Sequence, residues 1–375
     1  MKIGLVCPYN VSLGGGVLEI VRDLHRGLKA RGHDVKILTP QPRDISNVDT
    51  TDMIFLGAGT EFKSPMATTL QISASVDTEV IEQVLEKEQF DILHFHEPWV
   101  PVVSRQILSR SKSVNVATFH AAIPETLMSR TITRVVKPYT LTILKYLHEY
   151  TAVSDPAAEY IRSLTDEPVA IIPNGIDLSR YHWTEHKPAK DGSKTVLYIG
   201  RLERRKGAKY LLKAFKLLQM SDPNVKLIIA GNGPDKEKLQ LLAEDLKLQN
   251  VEFLGYITDA KKMELLATAD LFCSPAIYGE SFGIVLLEAM ASGMMTVAGN
   301  NAGYEALMES VGQLSIVNPR DDAEFARRMA VLLNEPKLQK VWRDWAKEYV
   351  KQYAYPHIID AYEACYVKAL KDHRK

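Results

Sequence analysis

The stretch TVLYIGRLERRKGAKYLLKAFKLLQMSDPNVKLIIA, residues 195–230, decides the architecture. An apolar run from Thr195 to Ile199 stops at Gly200, Ala208 to Leu218 carries apolar side chains at helical spacing, and Val225 to Ala230 is a second apolar run. Strand, crossover helix and strand in so short a span read as a parallel βαβ unit. The alternation continues downstream as helix Lys236 to Leu246, strand Val251 to Phe253, helix Lys261 to Ala269 and strand Leu271 to Cys273. Upstream the same plan appears independently. Ile3 to Cys7 reads as a strand, Val17 to Ala30 as a helix with Val17, Val21, Leu24 and Leu28 on one face, and Val35 to Leu38 as a strand. Phe90 to His94, Val114 to Thr118, Tyr150 to Val153 and Val169 to Ile172 are further strands, and Arg320 to Leu333 and Gln339 to Lys371 read as helical. Between the two series, Trp183 to Ser193 has almost no periodic apolar content. The expected class is α/β, with an N-terminal Rossmann-like domain over 1–180, a linker over 181–193, a C-terminal Rossmann-like domain over 194–350 and a closing helix over 351–375.

Composition fits this plan. A chain of 375 residues is long for one domain, and 46% hydrophobic with 25% charged residues describes an ordinary folded protein. Forty-six Lys and Arg balance 46 Asp and Glu, so no overall field holds a nucleic-acid backbone, and no nucleic-acid partner is expected. Cys7, Cys273 and Cys365 lie far apart and supply neither a disulfide framework nor a zinc knuckle. No apolar run approaches the ~18 residues of a membrane span. The cytoplasm is the expected location.

In tandem doubly wound domains, ligands gather at the carboxyl ends of the parallel strands; four motifs fall near such ends, and a fifth feature is a local charge asymmetry. Gly14-Gly15-Gly16 precedes the first helix, where amides and the helix dipole suit a diphosphate; neither G-x-G-x-x-G nor a Walker lysine is present. Arg201 and Lys206, on the loop after Thr195 to Ile199, can neutralise a leaving phosphate; the alternative is a solvated charged run. Gly279-Glu280-Ser281-Phe282-Gly283 enters an apolar helix, and Glu280 and Glu288, eight positions apart, span about 12 Å if both lie on it. One nucleotide sugar could touch both, or the pair could be exposed carboxylates on a capped core helix. His94, His96 and His120 follow strand ends, where histidine can bond a sugar hydroxyl; no metal site is expected, because no further Cys, His or Asp cluster completes one. Finally, residues 98–148 carry seven basic side chains against one acid, Glu125, with Arg130, Arg134 and Lys137 on one helical face, as a peripheral contact with anionic membrane requires; the alternative is a solvated face paired with acids elsewhere.

Together these residues resemble the GT-B glycosyltransferases of family 4, and within them the phosphatidylinositol mannosyltransferases. The resemblance rests on residues 3–9, Gly15-Gly16-Val17, His96-Glu97-Pro98, Ala117-Thr118-Phe119-His120, Ala152-Val153-Ser154-Asp155, residues 172–177 and the E-x7-E of residues 279–288. It implies two Rossmann-like domains facing a central cleft, with the final helix crossing back to the first domain. Arg201 and Lys206 would hold the diphosphate, Glu288 the ribose, and Glu280 with Ser281, Phe282, Gly283 and Ile284 the donor sugar. Ile257 and Lys262 would seat the base, Gly15 and Gly16 would approach the diphosphate, and Tyr9, Gly16, Thr118 and His120 would face the acceptor. The implied reaction is retaining transfer, with His120, Arg201, Lys206 and Glu280 as catalytic residues and no required cofactor, although Mg2+ stays compatible. GDP-mannose is the favoured donor and phosphatidylinositol or a related glycolipid the acceptor, at the inner face of the cell membrane. Departures from the family lie on the acceptor side: Leu18 stands at a typically polar position, Trp99 at a typical Asn, and residues 121–125 lack the usual Lys.

The alternatives are a UDP-sugar transferase acting on a soluble or polysaccharide acceptor, and a non-catalytic sugar-nucleotide-binding protein. An epimerase would need acid and base groups at the sugar ring. A nicotinamide dehydrogenase would need the missing glycine fingerprint.

Overall fold

The computed structural model describes residues 1–373 apart from 10, 12–15, 43–48, 64–68, 74–76, 101–102, 123–126 and 184–191; for 58–63, 69–73 and 127–135 it describes the backbone alone. The chain divides into two compact units, Met1–Gly175 with Tyr355–Lys375, and Ile176–Ala354. Ile176 bridges to Ala354 and its N–H donates to the Tyr353 carbonyl at 2.8 Å, so the two chain passages lie side by side. That pairing draws residues 176–180 into the second unit, five positions before the expected boundary. Of the expected linker 181–193, positions 184–191 fall outside the described residues.

In the first unit the strands are β1 Lys2–Val6, β2 Asp34–Gln41, β3 Met53–Lys63, β4 Thr69–Ser73, β5 Ile92–His96, β6 Val114–Phe119, β7 Glu149–Ala152 and β8 Val169–Ile171. Their order is β4-β3-β2-β1-β5-β6-β7-β8, parallel throughout except for the β3–β4 pair. The order reverses at β1 and β5, the switch point where open α/β sheets seat ligands. Helix Gly16–Ala30 and the final helix Tyr355–His373 cover one face, burying Leu24, Leu28, Ile359 and Tyr366 against Ile3, Leu5 and Ile37. A Cβ on Gly27 would lie 2.5 Å from Ile359, which shows how closely the two helices approach. Arg31 to Asp360 at 2.6 Å and His33 to Glu363 at 2.6 Å rim the contact.

The second unit holds β9 Thr195–Ile199, β10 Lys226–Ala230, β11 Val251–Gly255, β12 Leu271–Ser274, β13 Met295–Gly299 and β14 Ile316–Val317. They run parallel in the order β11-β10-β9-β12-β13-β14, reversing at β9 and β12. The core centres on Phe215, Leu227, Phe272, Phe325 and the fully buried Trp342, whose Nε1 donates to Ser315 at 2.9 Å.

The helical segment expected over Gln339 to Lys371 consists of two helices, Pro336–Tyr349 and Tyr355–His373, the second being the closing helix. Ala354 between them is extended, paired with Ile176, and Pro356 has no N–H to continue a ladder. Among the described residues no helix is long and apolar enough to cross a membrane.

Candidate active site

The second unit's switch point assembles the charged residues. The loop after β9 carries Arg201, Glu203, Arg205 and Lys206; the loop after β12 carries Gly279 and Glu280. Lys206 Nζ lies 2.8 Å from Glu280 Oε1. Arg205 Nη1 reaches the same oxygen at 2.5 Å and the Gly279 carbonyl at 3.2 Å, while its Nε pairs with Glu203 at 2.7 Å. Glu203 is 2% exposed and depends on that pairing, since a buried carboxylate is stable only when compensated. Arg201 is 47% exposed, with Nε 3.9 Å from Glu203. The two loops also meet backbone to backbone. Ile277 N–H donates to the Arg205 carbonyl at 2.8 Å, and Gly207, in the left-handed region at φ 74°, would bring a Cβ within 1.9 Å of the Pro275 carbonyl oxygen.

The helix after Glu280 runs Ile284–Ala291, so Glu280 precedes it and its eight-residue spacing to Glu288 is not a helical one. Gly283 sets the break: its φ is 117°, and a Cβ there would lie 2.9 Å from the buried Tyr304 ring. Ser281 and Phe282 form the turn, with Phe282 buried against Tyr353. Glu288 is held on that helix by Lys262 at 2.7 Å and by the Tyr181 hydroxyl, which donates at 2.9 Å. Burial and the Glu288 charge keep the Tyr181 phenol protonated by pushing its pKa up. Lys262 lies on helix Asp259–Thr268, capped by the Thr258 hydroxyl, and Ile257 ends the turn after β11 beside the exposed Tyr256.

In the first unit a polar cluster sits at the ends of β5 and β6. His94 accepts or donates to Tyr366 at 2.7 Å and Thr118 at 2.6 Å, and Thr118 reaches Tyr362 at 3.3 Å. His96 Nδ1 and His120 Nε2 are 2.9 Å apart. Burial lowers His94 and His120 to about 3 and His96 well below its usual value, so all three imidazoles are neutral. Glu97 Oε1 accepts both the His120 and Ala121 amides, at 2.5 and 2.6 Å, which fixes the turn that presents His120. Burial pushes Glu97 up to about 7 against those two bonds. His120 Nδ1, His96 Nε2 and Glu97 Oε2 are buried without a partner among the described residues. Tyr9 is close enough that the Glu97 charge, after burial, raises its phenol well above the usual value.

Sequence reasoning named Lys206, Glu280, Lys262, Glu288, Thr118 and His120 singly; the structure pairs Lys206 with Glu280 and Lys262 with Glu288, while Thr118 meets His94 and His120 meets His96. Sequence reasoning missed Arg205 as a Glu280 partner, Tyr181, Tyr366 and the bonds that Glu97 makes to the His120 turn; these partners are distant along the chain and meet only in the folded units. Gly16 opens its helix, exposed; Gly15 lies outside the described residues. Leu18 is buried in the core, and Trp99 lies against Phe119 and Tyr160. Of the basic segment, residues 123–126 and the side chains of 127–135 lie outside the described residues, Arg130 and Arg134 included. Among the described residues no group of three or more His, Cys, Asp or Glu could hold a metal ion.

Two doubly wound units, the second carrying charged loops at its switch point, are the architecture of the GT-B fold. Residues 14–180 match the family described as glycosyltransferase family 4, and residues 180–349 that described as glycosyl transferases group 1. The chain is 33% identical over 359 residues to a phosphatidyl-myo-inositol mannosyltransferase of Mycolicibacterium smegmatis, covering 94% of this chain and 90% of that one. It is 26% identical to an alpha-monoglucosyldiacylglycerol synthase of Streptococcus pneumoniae, over 80% of this chain and 71% of that one. In fold it is similar to Anabaena HepE, solved in complex with UDP-glucose, with TM-score 0.78, 18% identity and coverage of 99% and 100%. The chain belongs to the family 4 glycosyltransferases.

Proposed function

We propose that the protein moves mannose from GDP-mannose to phosphatidylinositol or a closely related glycolipid, with retention of anomeric configuration. The observation that supports a donor site here is the Lys206–Glu280 pair at the start of helix Ile284–Ala291, with Glu288 on that helix. The mannosyl and inositol-lipid assignments rest on the 33% identity to the mannosyltransferase relative.

In this reading Lys206 and Arg201 neutralise the diphosphate, Glu280 receives a sugar hydroxyl, Glu288 holds the ribose and Lys262 lies beside the base. As the bond from anomeric carbon to phosphate oxygen breaks, negative charge grows on the phosphate, where preorganised cations act most strongly. The acceptor oxygen bonds to the anomeric carbon on the same face, and its proton passes to the departing phosphate. The neutral His120 bonds the sugar through Nδ1 without competing for that proton. Mg2+ would act only through the diphosphate oxygens.

A second reading, a UDP-sugar donor, is supported by the similarly folded HepE solved with UDP-glucose, and the buried Leu18, which cannot meet a polar headgroup, favours a different acceptor. Nucleoside diphosphate release from a panel of nucleotide sugars, with and without mixed lipid vesicles, separates the two. Lipid-stimulated GDP release from GDP-mannose is the expected result. UDP release, or release needing only a soluble acceptor, overturns the mannose and lipid assignments; binding without release overturns the enzyme.

A further inference from the structure

We propose that Arg205 is a positioning residue that sets the orientation of Glu280 by tying it to the buried carboxylate of Glu203. This rests on the reading that Glu280 receives the donor sugar. Glu203 is anchored in the loop after β9, where its carbonyl accepts the Lys206 amide at 3.0 Å and its own N–H donates to Arg201 at 3.0 Å. A carboxylate with 2% exposure needs compensation, and Arg205 Nε provides it at 2.7 Å. The guanidinium is planar, so fixing its Nε edge fixes Nη1 as well. Nη1 then meets Glu280 at 2.5 Å and the Gly279 carbonyl at 3.2 Å, which holds both the side chain and the backbone of the turn. Gly279, at φ 74°, lets the turn pass close over Arg205: a Cβ there would sit 3.6 Å from Arg205 Cδ.

Lys206 engages the same Oε1, but an ammonium on a flexible stem attracts without orienting. Two cations on Oε1 fix the rotation of the carboxylate and leave Oε2 for a sugar hydroxyl. A division of labour follows. Lys206 acts on the diphosphate, whereas Arg205 acts on the sugar through Glu280, so loss of Arg205 harms transfer while nucleotide affinity stays.

The test uses the full chain with Arg205→Gln, Arg205→Lys and Glu203→Gln, and Glu280→Gln as the reference. Turnover is read as nucleoside diphosphate release from the sugar nucleotide the wild type uses, and affinity by calorimetry with free GDP and UDP. Arg205→Gln and Glu203→Gln should each lower kcat tenfold or more with the nucleoside diphosphate Kd within threefold of wild type. Arg205→Lys keeps Glu203 neutralised, so the unit folds even where the glutamine variant does not; one ammonium cannot hold both carboxylates, and the same deficit is expected. Wild-type turnover in the Arg205 variants alongside an impaired Glu280→Gln overturns the positioning role. A tenfold loss of GDP or UDP affinity in Arg205→Lys makes Arg205 a phosphate ligand and overturns it too. Wild-type transfer by Glu280→Gln removes the underlying reading of Glu280 and the positioning role with it.

Discussion

Lys206 Nζ and Glu280 Oε1 lie 2.8 Å apart because the loops after β9 and β12 meet where the strand order of the second unit reverses. A cation and a carboxylate so placed can serve two ends of one donor, the phosphate and the sugar. The ion pair also satisfies both groups before any donor arrives, so neither waits as an isolated charge in a partly buried loop.

Lys206→Ala should lower turnover by roughly 10², since it removes a preorganised cation from the leaving group. Arg201→Ala should act in the same direction and by a similar factor. Steady-state release of nucleoside diphosphate checks both, and near wild-type rates in the two variants would contradict the leaving-group role.

Glu288 is held by Lys262 and by Tyr181, from two different elements. Glu288→Gln should weaken free nucleoside diphosphate and sugar nucleotide alike, each by about tenfold, the scale of one charged hydrogen bond. Tyr181→Phe should weaken them by only a few-fold, because Lys262 still orients the carboxylate. Calorimetry with the unreacted diphosphate measures this; equal affinity in Glu288→Gln would remove Glu288 from the nucleotide.

Glu97 acts on His120 through two backbone amides, and only an acceptor oxygen is required for that. Glu97→Gln keeps a carbonyl oxygen there and should retain most activity, whereas Glu97→Ala leaves the buried His120 amide unpaired and frees the part-buried Ala121 amide, and should lose tenfold or more. The same rank order in thermal melting should accompany it, with a cost of about 1–3 kcal/mol for the unpaired His120 amide. A glutamine variant as inactive as the alanine variant would mean that the charge itself is needed.

The first unit should lose stability in mild acid. His94, His96 and His120 have folded-state pKa values depressed by burial, so the unfolded chain takes up their protons first as pH falls below about 6.5. Glu97 opposes this, because its raised pKa makes the folded state bind one proton ahead of the unfolded chain between about 7 and its ordinary range. His25 and His148, also lowered by burial, act with the three histidines. The histidines outnumber the single glutamate, so stability should fall on the order of 2–3 kcal/mol per pH unit between pH 6.5 and 5. Urea unfolding at pH 7.5, 6.5 and 5.5 reads the slope, and a flat profile would show that these imidazoles are not buried neutral.

Much of this was legible along the chain, and the rest was hidden for identifiable reasons. The β1-to-β2 and β9-to-β10 units announce themselves because an apolar run, a periodic helix and a second apolar run are each separated by glycine or charge. β13 does not: Met295–Gly299 follows Leu286–Ala291 with only a short turn, and two apolar stretches so close do not reveal which is helix and which is strand. The edge pair β3 and β4 is rich in Gly, Thr and Ser, and its antiparallel register leaves no mark on a plan of parallel units. At the site, the E-x7-E spacing reads as a distance along one helix, and that geometry does not hold, since Glu280 lies before the helix that carries Glu288. Arg205 looked like one more charge in a solvated run, and only the meeting of two loops separates it from Arg204.

The most direct trial of mannosyl transfer to an inositol lipid is to incubate the wild-type protein with GDP-mannose labelled in the sugar and vesicles containing phosphatidylinositol, then extract into organic solvent. The label should move to the organic phase in step with GDP release, and Lys206→Ala should cut both together. Label that stays in the aqueous phase with phosphatidylinositol present, while GDP or UDP release proceeds on some other donor and acceptor, would contradict it.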